Sequence, residues 1–167
     1  MMDYALRTLS GHALSAAEIR TKLHRRAAEP GDVEEIVGKL KEAGYLDDRR
    51  FAESYATARL ENQGFGKMRV LRDLRQRRVA GAVASRAVEQ TFAGTDETAL
   101  VEQFLARKYR NVVLAEYLSE DKHLLSAYRR LRLAGFSAGT SIRVLKRYAA
   151  AAEALEEAAD EGPLQDD

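Results

Sequence analysis

The 167-residue chain has only two prolines, Pro30 and Pro163, and both stand where no helix is expected to run: one in an Ala-Glu-Pro-Gly-Asp turn, the other in the last stretch of the chain. Between them no alternation of apolar and polar residues lasts more than a few positions. Valine and isoleucine are sparse, while alanine, leucine, arginine and glutamate dominate. These are helix formers, and the apolar ones recur at helical spacing. A sheet would need the period-two runs that are missing, so the expected fold is all-α.

Hydrophobic residues make up 46% and charged residues 32% of the chain, enough apolar side chain to build a packed core. No apolar run approaches the roughly 18 residues of a membrane span, and the first residues lack a basic segment followed by an apolar one. The expected location is the cytoplasm. Without cysteine, disulfides, thiolate nucleophiles and cysteine-based zinc sites are all ruled out.

Start and stop signals divide the helical text. Ser15 with Glu18 is a capping-box pattern that opens a helix through Ile19 and Leu23. Asp32 is expected to cap the next helix, which ends at Gly44 in a left-handed turn. Asp47 and Asp48 start a helix carrying Phe51, Tyr55 and Ala58, which Gly64 and Gly66 break. Further helices are expected at about 66–77 and 83–92, from Thr95 or Asp96 onward, at 120–134, and from a Ser137 cap onward. Leu23, Leu74 and Leu131 take the same place near the end of successive second helices, each preceded by an apolar partner (Ile19, Val70, Tyr128). The expected organisation is three tandem three-helix, helix-turn-helix-like repeats over residues 1–46, 47–94 and 95–152. They would form an elongated or curved array followed by an acidic tail, 153–167.

The net charge of +1 conceals a separation. Residues 153–167 hold seven acidic residues and no basic one, leaving 27 basic against 19 acidic over residues 1–152. A body of that sign attracts polyanions.

Candidates for catalysis are poor. His12, His24 and His123 are scattered, with no metal-ligand spacing. Gly64, Gly66 and Lys67 lack the spacing and the preceding strand of a phosphate loop, and read as a helix stop and start. Asp47 and Asp48 stand where N-caps are needed. No catalytic residue, metal or cofactor is expected: the chain reads as a binder.

The basic helices carry the clearer signal. Lys67 to Arg78 contains six basic residues and one acidic one. At 100° per residue Val70, Leu71 and Leu74 share one side, Arg69, Arg72 and Gln76 the other, with Arg75 at its edge. Residues 126–147 contain Arg129, Arg130, Arg132, Arg143, Lys146 and Arg147 and no acid. There Arg143 and Arg147 lie opposite Ile142, Leu145 and Ala149. Residues Arg20, Lys22, Arg25 and Arg26 offer a weaker version. Guanidinium groups suit phosphates or carboxylates because they donate paired hydrogen bonds in a fixed fork. The expected binding residues are Lys67, Arg69, Arg72, Arg75, Arg129, Arg130, Arg143 and Arg147.

The turn Gly44-Tyr45-Leu46-Asp47-Asp48, followed by Arg50-Phe51-Ala52 and Tyr55, resembles the most distinctive segment of the RecX family, bacterial regulators of the RecA recombinase. Gly64-Phe65-Gly66-Lys67 with Leu71-Arg72-Asp73-Leu74 is similar to the family's Gly-rich turn and basic helix. Leu131-Arg132-Leu133-Ala134-Gly135-Phe136-Ser137, with Ile142 and Leu145, looks like its closing pattern. The resemblance runs from about residue 3 to residue 150. Two features depart from it: Arg78-Val79 stands where the family usually has glycine and isoleucine, so a different turn is expected there, and the acidic tail lies outside it. The resemblance implies a non-enzymatic protein that lodges in the groove of the RecA filament on single-stranded DNA. It also implies suppression of RecA's ATP hydrolysis, strand exchange and co-protease activity, and so modulation of recombinational repair and the SOS response. Implied partners are the RecA nucleoprotein filament and single- or double-stranded DNA without sequence preference; a monomer is the simpler expectation, and no membrane is involved. The competing readings are a helix-turn-helix transcriptional regulator acting without RecA, and a structural module for some acidic partner.

Overall fold

A computed structural model describes residues 1–27 and 30–148, and the residues it describes form helices and turns with no strand. The order is α1 (Met2–Gly11), α2 (Ala16–His24), α3 (Pro30–Glu42), α4 (Asp48–Ala58), a π-helical turn (Arg59–Gln63), α5 (Lys67–Gln76), α6 (Gly81–Thr91), α7 (Glu97–Lys108), α8 (Leu114–Tyr117), α9 (Asp121–Leu133) and α10 (Ala138–Leu145). Ala149, Pro163 and the acidic tail 153–167 lie outside the described residues.

The caps explain most of the boundaries. Ser15 Oγ accepts the Glu18 N–H while a Glu18 carboxylate oxygen accepts the Ser15 N–H, the expected capping box. Asp47 accepts the N–H groups of Arg49 and Arg50, and Asp96 that of Thr98. Ser137 accepts the Thr140 N–H at the start of α10. Two expectations are corrected. Pro30 is not outside a helix but is the first residue of α3, where its missing N–H has no intrahelical partner to lose. Asp32 accordingly falls in the first turn, where its charge suits the helix dipole, rather than at a cap. The short α8 carried no sequence signal: four residues are too few to show a period.

The described chain separates into two compact units, one of Met1–Ala58 with Leu71–Ala93, the other of Arg59–Val70 with Gly94 onward. In the first, Ala5, Ile19, Leu23, Val33, Val37, Leu40 and Leu46 pack together from α1, α2, α3 and the turn that follows. In the same unit α4 and α6 pack closely, burying Ala52, Ala56, Ala84, Ala87 and Val88. Small residues on both helices permit that approach. In the second unit Val101, Leu105, Leu118, Leu124, Leu131, Phe136, Val144 and Leu145 form the core. Phe104 meets Phe136 edge to face, with centroids 5.6 Å apart. Leu23, Leu74 and Leu131, singled out by their spacing, are all fully buried.

One recurring turn fixes where helices stop. After α3 the Tyr45 N–H donates to Leu40 O and the Gly44 N–H to Lys41 O, with Gly44 at φ 74. After α9 the Phe136 N–H donates to Leu131 O and the Gly135 N–H to Arg132 O, with Gly135 at φ 92. This is the Schellman arrangement, in which a left-handed residue lets two late N–H groups reach back to unpaired carbonyls. After α5 the pattern is the same, from Val79 to Leu74 and from Arg78 to Arg75, although the left-handed position is Arg78 at φ 58. The turn at Arg78-Val79 thus follows the same hydrogen-bond pattern as those after α3 and α9, with arginine in place of glycine.

Within the second unit the α9–α10 turn approaches the start of α5 backbone to backbone. Gly66 N–H donates to Ala134 O at 2.7 Å and Met68 N–H to Gly135 O at 3.1 Å. A Cβ on Gly66 would stand 2.4 Å from the Gly135 carbonyl carbon, whereas one on Gly81 would meet nothing within 4 Å. Gly66→Ala should therefore lower stability by about 2 kcal/mol, the usual scale of overpacking. Gly81→Ala should be neutral or slightly stabilising. Urea denaturation of both variants beside the parent checks this.

Candidate macromolecular interface

Arginine can leave a helix face for solvent or fold back along its stem, and sequence spacing alone does not say which. On α5, Lys67, Arg72 and Arg75 are exposed. Arg69 is half-buried, its guanidinium carbon 3.8 Å from the centre of the Phe65 ring. That cation–π contact holds it against the glycine turn rather than on the open stripe. Val70 and Leu74 are fully buried, so the expected apolar side does face inward. Lys67 and Arg69 belong to the second unit, Arg72 and Arg75 to the first.

On α9, Arg129 and Arg130 are exposed, one turn past buried Leu124 and beside buried Tyr128 and Leu131. Arg132 donates to the Phe136 carbonyl at 2.5 Å and closes the turn instead. Arg143 on α10 and Arg147 just past its end are exposed yet engaged: Arg143 donates to Thr140 Oγ1 at 3.0 Å, and Arg147 pairs with Glu102 of α7. The six basic residues of the third segment thus divide between intramolecular and outward roles. Lys146 is exposed.

The clearest structural arginine is Arg77. Its Nε lies 2.8 Å from Glu18 Oε1 and its Nη2 2.9 Å from Oε2, a two-pronged pair, while Nη2 also donates to the Ala13 carbonyl. The guanidinium carbon stands 4.6 Å from the Phe51 ring centre and 5.4 Å from that of Tyr55. The Arg77 carbonyl accepts the Ser15 hydroxyl at 2.7 Å, and Asp48 accepts the Ala16 N–H at 2.8 Å. The carboxylates of Glu18 and Asp48 therefore serve helix α2 and the end of α5. Charge counting placed Arg77 among the basic residues of the stripe; its partners are far away in sequence, so no local pattern could have removed it.

Sequence spacing also missed a shallow groove between α4 and α6. It is lined by Arg49, Glu53, Ala82, Val83, Arg86 and Gln90. Arg49 and Arg86 stand on helices separated by the whole of α5, which hides them from any window along the chain. Among the described residues no group of three His, Asp or Glu side chains is placed to hold a metal ion. His123 stacks on Tyr117 with centroids 4.0 Å apart, and its Nδ1 lies 3.1 Å from the Tyr117 carbonyl oxygen. No helix among the described residues is long and apolar enough to cross a membrane.

Glu97, in the first turn of α7, binds the N-cap of α10: one oxygen accepts the Ser137 N–H at 2.8 Å, the other the Ser137 hydroxyl at 2.6 Å. Burial alone raises its pKa, but these hydrogen bonds and the charge of Arg143 bring it below its ordinary 4.5. A carboxyl depressed in the folded state contributes stability above its unfolded pKa and loses it as pH falls through the folded value. The parent should therefore lose stability between about pH 5 and pH 3 by more than Glu97→Gln does. Denaturant titrations across that window give the difference directly.

Residues 47–88 match the family described as "RecX, second three-helix domain". The regulatory protein RecX of Thermus thermophilus is 34% identical over 143 residues, covering 84% of this chain and 87% of that protein. The regulatory protein RecX of Streptomyces coelicolor is 27% identical over 142 residues, covering 85% and 73%. That of Halorhodospira halophila is 40% identical over 87 residues, and there the match spans about half of the relative's length, 53%. A crystal structure of RecX from Lactobacillus salivarius superposes with a TM-score of 0.65 at 19% identity, over 88% of this chain and 93% of that one. It shares the fold.

Proposed function

The chain belongs to the RecX family of regulatory proteins, and from that premise we propose that it is a negative regulator of RecA. In this reading it lodges in the groove of the RecA filament on single-stranded DNA and restrains ATP hydrolysis, strand exchange and co-protease activity, without an active site of its own. The observation that carries it is the 34% identity over 143 residues with the regulatory protein RecX of Thermus thermophilus. We take the chain as three repeats, 1–46, 47–94 and 95–152. Fully buried Leu23, Leu74 and Leu131 and the domain match over 47–88 support that division. Linked repeats suit a filament because one contact raises the effective concentration of the next. The protein is assigned to the cytoplasm, where its target works.

The contact residues proposed are Lys67, Arg72, Arg75, Arg129 and Arg130 first, all exposed. Arg143 and Arg147 join them by exchanging a neutral or surface partner for one on the target. Arg69 contributes through its edge while Phe65 holds its face.

The test is DNA-dependent ATP hydrolysis by RecA filaments with increasing amounts of the purified chain. Inhibition at amounts comparable to RecA is the expected result; steady hydrolysis together with tight binding to one duplex sequence over scrambled DNA supports a transcriptional regulator instead. Arg72→Ala with Arg75→Ala should raise the amount needed for half-inhibition by about tenfold while leaving helicity unchanged. Each surface charge contact carries roughly 0.5–1 kcal/mol across such an interface.

A further inference from the structure

The Schellman turns after α3 and α9 use glycine at the left-handed position, and the turn after α5 uses Arg78 at φ 58. A residue with a Cβ is disfavoured there, since the Cβ crowds the following backbone. The Arg78 side chain returns little to the fold. It is exposed, and among the described residues it makes a 3.2 Å hydrogen bond to Thr21 Oγ1 at the surface, whose hydroxyl already donates to the Ala17 carbonyl. Such a bond competes with water on nearly equal terms. The chain keeps an arginine at a strained position for which local stability supplies no reason.

The surroundings indicate what the side chain is for. From Leu74 through Val88 there is no carboxylate, while Arg75, Arg78 and Arg86 are exposed. Arg77, between them, is turned to Glu18 and so does not compete. Among the described residues the exposed large apolar side chains are Met1, Tyr45, Met68, Val112, Val113 and Leu133, and none lies in residues 71–93. Protein interfaces draw their energy from desolvated aromatic and aliphatic anchors, and this segment offers none. A guanidinium set without apolar anchors matches phosphodiester oxygens, which take its paired donors and release counterions on binding.

We propose that Arg78 is a contact to the DNA phosphate backbone, extending the exposed arginines of α5 past the end of the helix. This rests on the regulator meeting a nucleoprotein filament, as proposed above, and it adds that the second repeat touches the DNA directly. Arg78 is retained there for binding at the expense of an easier turn.

The experiment compares the full chain with Arg78→Gly and Arg78→Lys in thermal melting and in fluorescence anisotropy with a labelled single-stranded oligothymidylate over a range of salt. Arg78→Gly should melt about 2–4 °C higher, the shift expected when strain is relieved in a chain of this size. It should also bind the oligonucleotide several-fold more weakly, with a salt slope reduced by about 0.7, one phosphate contact on a single strand. Arg78→Lys should keep the slope. Parental binding by the glycine variant, a lower melting temperature than the parent, or no oligonucleotide binding by the parent overturns the proposal. So does weakened binding of Arg78→Gly to RecA filaments with unchanged oligonucleotide binding, which assigns Arg78 to a protein surface. The oligonucleotide measurement contains no RecA, so a failure to inhibit RecA leaves it standing and tests the broader function alone.

Discussion

The left-handed turn that ends a helix is the constraint on which the architecture depends. A helix leaves its last carbonyls unpaired, and the Val79-to-Leu74 and Phe136-to-Leu131 hydrogen bonds satisfy them while reversing the chain. At two of the three turns the residue that follows the reversal lies inward, Val79 being 4% exposed and Phe136 fully buried, whereas Tyr45 after α3 is exposed. Leu74 and Leu131 then serve twice, as core side chains and as the carbonyls that anchor the turn. Placement of the next helix follows from this, and Ser137 can cap α10 only because Gly135 has already turned the chain.

Arginine does two kinds of work here, and the physical difference lies in desolvation. Arg77 is bound on its polar edge by Glu18 and Ala13 and on its face by aromatic rings, so its charge is satisfied within the fold. Arg132 is committed to the Phe136 carbonyl in the same way. Arg75, Arg129 and Arg130 remain at the surface, where a guanidinium can exchange water for a phosphate or carboxylate. The basic character evident from composition therefore overstates the surface available for binding. Even so, enough exposed arginine remains on α5 and α9 for the regulatory role that family membership indicates.

Much of the fold could be read along the chain because its signals are local. The capping box at Ser15, the Ser137 cap and the Gly44 turn each depend on residues within about five positions of one another, as does the pairing of Leu23, Leu74 and Leu131 with Ile19, Val70 and Tyr128. What could not be read depends on distant partners. The bonds from Arg77 to Glu18, from Glu97 to Ser137 and from Gly66 to Ala134 join residues forty or more positions apart. Two misses were local: Arg69 folds back over Phe65, four residues away, where helical phase placed it on the stripe, and α8 is too short to show a period. The eight expected binding residues were legible as charge and helical phase. Their existing partners were not.

The central claim is that the exposed arginine faces of α5 and α9 meet the RecA filament. The most direct measurement is site-specific photo-crosslinking from Gln76 and Leu133, both exposed beside those faces, with Glu35 on α3 as the reference position. In the presence of assembled filaments, crosslinks to RecA or its DNA should form from positions 76 and 133 and not from 35. Crosslinking from 35 with none from 76 or 133 would contradict the account.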